Sequence, residues 1–174
     1  AGVSDPFVSL NGDKHSIVLD LKNPAGCGVL RELVTRADVL VENFAPGVMD
    51  RLGLGYDALE RLNPRLVYAS GSGYGSTGPY RDYPAMDLSM QAMGGVMATT
   101  GMPDGPPMKA GVALCDFLGG IHLYGAIVTA LYRRSNTGRG SRVEVAMFDS
   151  LYPTLASNMG QHMPGAPGDP EPWD

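Results

Sequence analysis

Short apolar runs that end in turns and lead into helical periodicity recur down this chain of 174 residues. That alternation restricts the fold more than any other feature. Its clearest instance is Val143-Glu144-Val145-Ala146-Met147-Phe148-Asp149-Ser150, an apolar strand running straight into the start of a helix, after the turn Gly138-Arg139-Gly140-Ser141. Leu66 to Ser70, Val39 to Val41 and Ser16 to Leu21 have the same strand character. After the last of these, Asn23 reads as an N-cap with Pro24 at the first helical position. The helix predicted from Pro24 to about Thr35 carries Val29, Leu30, Leu33 and Val34 on one side. Shorter helical pieces are expected from Pro46 to Leu52, Tyr56 to Leu62 and Asp87 to Met93, and a longer one from Val112 to Arg134. Strands alternating with helices predict an α/β fold built on a mostly parallel, doubly wound sheet.

Folds of that kind place their chemistry where strands end and helices begin. Asp149 occupies such a corner, and a helix dipole there favours its ionised, nucleophilic form. It is the first candidate for a reacting group. Glu42-Asn43-Phe44-Ala45-Pro46-Gly47 also leaves a buried strand. Its amide, ring and tight turn suit a ring-bearing ligand, although a capped strand exit with Phe44 in the core explains them equally. Gly71-Ser72-Gly73-Tyr74-Gly75 lacks the spacing of a dinucleotide fingerprint, and a chain reversal accounts for it as well.

A net charge of −5, with 18% charged residues and no long like-charge block, excludes an extended nucleic-acid footprint. Cys27 and Cys115 lie far apart, inside predicted helices, and read as buried thiols of a reducing, cytoplasmic compartment. His15, His122 and His162 are dispersed, with His122 expected in a core or interface, so no metal site is predicted. The methionines at 86, 90, 93 and 97 read as helix-face packing. Arg133, Arg134, Arg139 and Arg142 frame the turn before the Asp149 strand, as a solvated patch or a phosphate contact. No apolar run long enough for a membrane span is anticipated. The start in a polar loop and the closing Pro164-Gly165-Ala166-Pro167-Gly168-Asp169-Pro170 read as cut ends of a longer polypeptide.

Taken together, several stretches resemble the class III CoA-transferases, the formyl-CoA and carnitine CoA-transferase type. They are Leu19-Asp20-Leu21-Lys22 with the Pro-Ala-Gly helix start, Ala37 to Gly47, Arg51-Leu52-Gly53-Leu54-Gly55-Tyr56, Leu62-Asn63-Pro64-Arg65-Leu66, Gly71 to Tyr80, Gly138-Arg139-Gly140 and Val143 to Asp149. The resemblance implies a Rossmann-like large domain and a small domain in a parent about twice this length, assembled as an interlocked homodimer. Residues 1–174 would be part of the large, CoA-binding and catalytic domain, without the first strand–helix unit or the small domain, and inactive alone. It further implies that Asp149 is the catalytic aspartate and that Lys22, Asn43, Phe44, Arg51 and Leu52 contact CoA. Acyl-CoA and a small carboxylic acid would be the substrates, with no tightly bound cofactor, nucleic acid or membrane partner.

The same family holds α-methylacyl-CoA racemases, whose pattern has a histidine before the position of Asp87 and an aspartate at that of Glu144. Met86 and Glu144 stand there in this chain, so one half of a two-base proton transfer is missing. CoA transfer through an aspartyl anhydride and thioester is therefore the expected activity. Racemisation and non-catalytic CoA binding are the alternatives.

Overall fold

The computed structural model describes residues 4–102 and 104–160. His162 and the turn-rich stretch from Pro164 lie outside them. In chain order the elements are α1 (Asp5–Asn11), α2 (Pro24–Val34), β1 (Val39–Glu42), α3 (Val48–Arg51), α4 (Tyr56–Leu62), β2 (Val67–Ser72), α5 (Asp87–Met93), α6 (Leu114–Thr137), β3 (Ser141–Ala146), α7 (Met147–Leu151) and α8 (Ala156–Gly160). Two 3-10 turns, Val96–Thr99 and Tyr152–Leu155, complete the path.

The three strands form one parallel sheet in the order β1-β2-β3. Val39 pairs with Val67, and Val67 with Ser141 on its other side, so β2 is hydrogen-bonded along both edges. Its first three residues, Val67, Tyr68 and Ala69, are apolar and buried on both faces, as a strand covered on two sides requires. Leu66 and Tyr68 join Cys27, Val34, Met49, Leu54 and Leu59 in a core that α2, α3 and α4 build on one face. Val67 and Ala69 alternate onto the other face and are fully buried. There α6 crosses the sheet, and a Cβ added at Gly71 would touch Leu123 at 3.5 Å. A second core gathers Met90, Val96, Cys115 and Leu151 beyond the strand ends.

Helix α2 starts at Pro24 as expected, whereas α6 runs Leu114–Thr137, beginning two residues after and ending three residues beyond the expected Val112 to Arg134. The Asn23 side chain accepts from the Ala25 N–H at 2.9 Å. Gly138 ends α6 in the left-handed region (φ 74°), where glycine is free of the Cβ penalty. Arg134 donates to the Asp38 carbonyl at 3.2 Å, the Arg65 carbonyl at 3.0 Å and the Asp38 carboxylate at 2.9 Å. It is a staple between the end of α6 and the amino edge of the sheet, and takes no part in a solvated patch.

Three expectations are corrected. Ser16 to Leu21 is not a strand: the segment is irregular, and Ile17 and Val18 stay exposed because no neighbouring strand pairs with it among the described residues. The opening residues form α1 where a polar loop was anticipated. And α6, at 24 residues with a mean hydropathy of 1.5 in its most apolar window, is long and apolar enough to cross a membrane by length and composition. Cys115, Gly119 and Ala130 are its buried residues, and the rest of its length is half-buried or exposed.

Two substitutions check this packing. Leu59→Ala empties a fully buried site between α4 and the sheet, and should cost about 2–5 kcal/mol of unfolding free energy. Gly140→Ala drives a methyl into the backbone carbonyl of Leu66, and should cost about 1–3 kcal/mol or more. Urea midpoints of the two variants against wild type measure both.

Candidate active site

In a parallel β-α-β unit the crossing helix runs antiparallel to the strands, so the start of α6 lies at the carboxyl edge of the sheet. Close approach of Gly119 to Met147, just past the end of β3, fixes that placement. The carboxyl edge carries two groups of polar side chains.

The first lines an open cleft of about 400 Å³. Two carboxylates from strand ends form its frame. Glu42, which ends β1, accepts from the Ser70 hydroxyl and from the Phe44 N–H. Glu144, on β3, accepts from the Ser76 N–H at 2.5 Å and the Ser76 hydroxyl at 2.9 Å. It thereby pins the glycine-rich loop, which needs Gly75 at φ 82° to turn there. Arg142 closes the group at 3.2 Å from Glu144. Tyr68 forms part of the wall; burial first, then Glu42, pushes its hydroxyl up to about 12, which keeps it a neutral donor. Arg51 and Arg81 supply positive charge at the rim, and Phe44 an exposed aromatic face.

The second group joins α5 to the first turn of α6. Asp87 accepts through Oδ1 from the Cys115 N–H at 2.7 Å, with the Asp116 N–H at 3.5 Å from the same oxygen. Its Oδ2 accepts from the Gln91 amide at 2.6 Å. Ala113, the N-cap of α6, offers no side-chain cap, so Asp87 supplies one from outside the helix. The Asp116 side chain is exposed in that first turn and forms no ion pair among the described residues. Burial of its surroundings first, and the Asp87 carboxylate second, raise its proton affinity above that of an ordinary aspartate.

The residues expected from sequence fall in different places. Phe44 and Arg51 line the cleft. Asn43 sits beside it, its amide donating to the Gly71 carbonyl at 2.7 Å and so tying β1 to the glycine loop. Leu52 packs against the α2–α4 core. Lys22 is exposed before α2 and is not part of the cleft wall. Asp149 is exposed in the first turn of the five-residue α7. Its neighbours Phe148, Leu151 and Tyr152 face an apolar hollow of about 490 Å³ shared with Met93, Gly94 and Leu155. His122 is exposed, its Nδ1 2.8 Å from the Leu118 carbonyl, and is not a core histidine. No cluster able to hold a metal ion occurs among the described residues.

Asp116 was not singled out in the sequence because it sits inside an apolar helical pattern that reads as packing, and Asp87 was read only as a position of the racemase pattern. The available signal was a carboxylate in the first turn of the longest helix, where the macrodipole stabilises negative charge.

Residues 1–172 match CoA-transferase family III, and the chain belongs to that family. It is 51% identical over 144 residues to the acetyl-CoA:oxalate CoA-transferase of Acetobacter aceti, a match covering 82% of this chain and 37% of that protein. It is 45% identical over 162 residues to the succinate–glutarate CoA-transferase of Agrobacterium fabrum, covering 92% and 40%. Among solved structures it resembles a CAIB/BAIF family protein from Brucella suis, with a TM-score of 0.82, 42% identity and coverage of 85% of this chain and 39% of that one. The hypothetical protein Rv3272 from Mycobacterium tuberculosis gives a TM-score of 0.84 at 34% identity, covering 90% and 45%. The chain thus spans well under half the length of the relatives it matches.

Cys115 offers a direct check on the environment at the start of α6. Burial, then Asp87 and Asp116, push its thiol up to about 11. At pH 8 only about one molecule in a thousand would carry the reactive thiolate. Iodoacetamide should label Cys115 roughly 100-fold more slowly in the native protein than in urea, as read by peptide mass spectrometry.

Proposed function

We propose that the full-length protein transfers coenzyme A from an acyl-CoA to a free carboxylic acid by acylating one of its own aspartates. What supports the reading is the family membership together with an aromatic and arginine-lined cleft at the carboxyl edge and exposed aspartates at the first turns of α6 and α7. In the first step an aspartate oxygen attacks the thioester carbonyl. The carbon–sulfur bond breaks, giving a mixed anhydride and CoA thiolate. The thiolate then attacks the aspartyl carbonyl, the donor acid leaves, and an aspartyl-CoA thioester remains. An acceptor carboxylate displaces CoA as a new anhydride, and the thiolate takes the acceptor acyl group, restoring the aspartate. A carboxylate conserves the thioester energy through every step, which splits one difficult exchange into easier ones.

Two carboxylates compete for the role. Asp149 is the expectation from sequence, at the β3–α7 corner. Asp116 is favoured by one specific observation: Asp87 holds the first turn of the 24-residue α6 through the Cys115 N–H, and burial first, then the Asp87 carboxylate, raise the proton affinity of Asp116. Phe44 would stack on the ring or pantetheine portion of CoA, and Arg51 would meet its phosphates. Asn43 would act by holding the loop edge, and Lys22 by long-range attraction. The relatives named for oxalate and for succinate and glutarate favour small dicarboxylic acids as acceptors. An interlocked homodimer and a cytoplasmic location belong to the same proposal.

Mass spectrometry of the full-length protein after incubation with acetyl-, formyl- and succinyl-CoA tests it. A CoA or acyl adduct is expected on the peptide carrying Asp116, and Asp116→Ala should lower kcat by at least 10³-fold, about 4 kcal/mol of barrier, with CoA affinity retained. An adduct on the Asp149 peptide would transfer the role to Asp149. Exchange of the substrate α-proton with solvent, without an acceptor acid, would replace the transferase reading with a racemase.

A further inference from the structure

Gln91 is completely buried, next to Met90 of the second core, a setting in which an amide persists only if its hydrogen bonds are made. Its amide is fully used. Nε2 donates to Asp87 Oδ2 at 2.6 Å and to the Val112 carbonyl at 3.2 Å, and Oε1 accepts from the Ala110 N–H at 2.8 Å. These bonds tie α5 to both ends of Ala110–Val112, the short stretch that delivers the chain into α6. The other oxygen of Asp87 holds the Cys115 N–H. The path Gln91–Asp87–Cys115 N–H is therefore a continuous brace from the core of one helix to the first turn of another.

We propose that Gln91 is a positioning residue of the transfer reaction: acting through Asp87, it fixes the first turn of α6 and so sets where the Asp116 carboxylate meets the thioester. The inference rests on the reading of Asp116 as the acylated residue. The brace removes rotation of Asp87 and of the entering chain, so the nucleophile is presented in one orientation, and small errors there are costly in rate.

In the full-length protein, with the donor and acceptor acids that support turnover, Gln91→Met should reduce kcat at least tenfold per folded molecule. KM for the acyl-CoA should stay within about threefold, the split expected when a positioned nucleophile is lost and ligand binding is not. Wild-type kcat, or kcat and KM changing together, in folded Gln91→Met would overturn the proposal. Gln91→Glu provides the test if that variant does not fold. It keeps an acceptor for Ala110 and, when protonated, a donor for Asp87, so its activity relative to wild type should fall as pH rises. A flat ratio would overturn the proposal. The acyl adduct in wild-type protein is mapped first: finding it on Asp149 defeats the Asp116 reading itself, whereas finding it on Asp116 with indifferent Gln91 variants defeats only the brace.

Discussion

The parallel ladder on both sides of β2 is the constraint from which the rest of this structure follows. Parallel strands cannot be joined by a tight turn, so every connection must cross a face of the sheet. With β2 between β1 and β3, the crossing from β1 passes through α3 and α4, and the crossing to β3 passes through α5 and α6. Both faces of β2 are covered in consequence, and its backbone groups are satisfied by neighbours in the sheet. The same geometry delivers Glu42, Ser72, Glu144 and the start of α6 to one edge. The site is a by-product of how the core closes.

That edge is organised by carboxylates that hold backbone. Glu42 takes the Phe44 N–H, Glu144 takes the Ser76 N–H, and Asp87 takes the Cys115 N–H. Each replaces a partner that an irregular segment would otherwise lack at a strand exit or helix start, and an unpaired buried N–H costs about 1–3 kcal/mol. Asp116 and Asp149 differ from these three: their side chains are exposed and hold no loop. The distinction separates acids that hold backbone from acids whose side chains face solvent.

Much of the fold was legible because its signals are local. Asn23-Pro24 opens α2, Gly138 closes α6, and Tyr56–Leu62 is a helix with the expected bounds. Ser16 to Leu21 failed for a non-local reason, since an apolar alternation becomes a strand only when a neighbour accepts its hydrogen bonds. Phe44 and Arg51, expected from two separate stretches of the family resemblance, line one cleft. The setting of Asp116 was not legible, because it comes from Asp87, a partner 29 positions earlier on another helix. Leu52, expected beside Arg51 as a CoA contact, is partly buried and packs against the α2–α4 core.

The exposed side of α6 bears on how this chain works within a longer one. Phe117, Ile121, Tyr124 and Tyr132 are 62%, 63%, 69% and 72% exposed, one per helical turn or two, along the side away from the sheet. A row of that size is larger than scattered surface hydrophobics explain. The chain spans only 34–40% of the curated relatives it matches, so much of their length has no counterpart in it. The row begins at the residue after Asp116. Under the proposed mechanism, cover along this row would reach the first turn of α6 and exclude water there, which an anhydride intermediate requires because hydrolysis would discharge it.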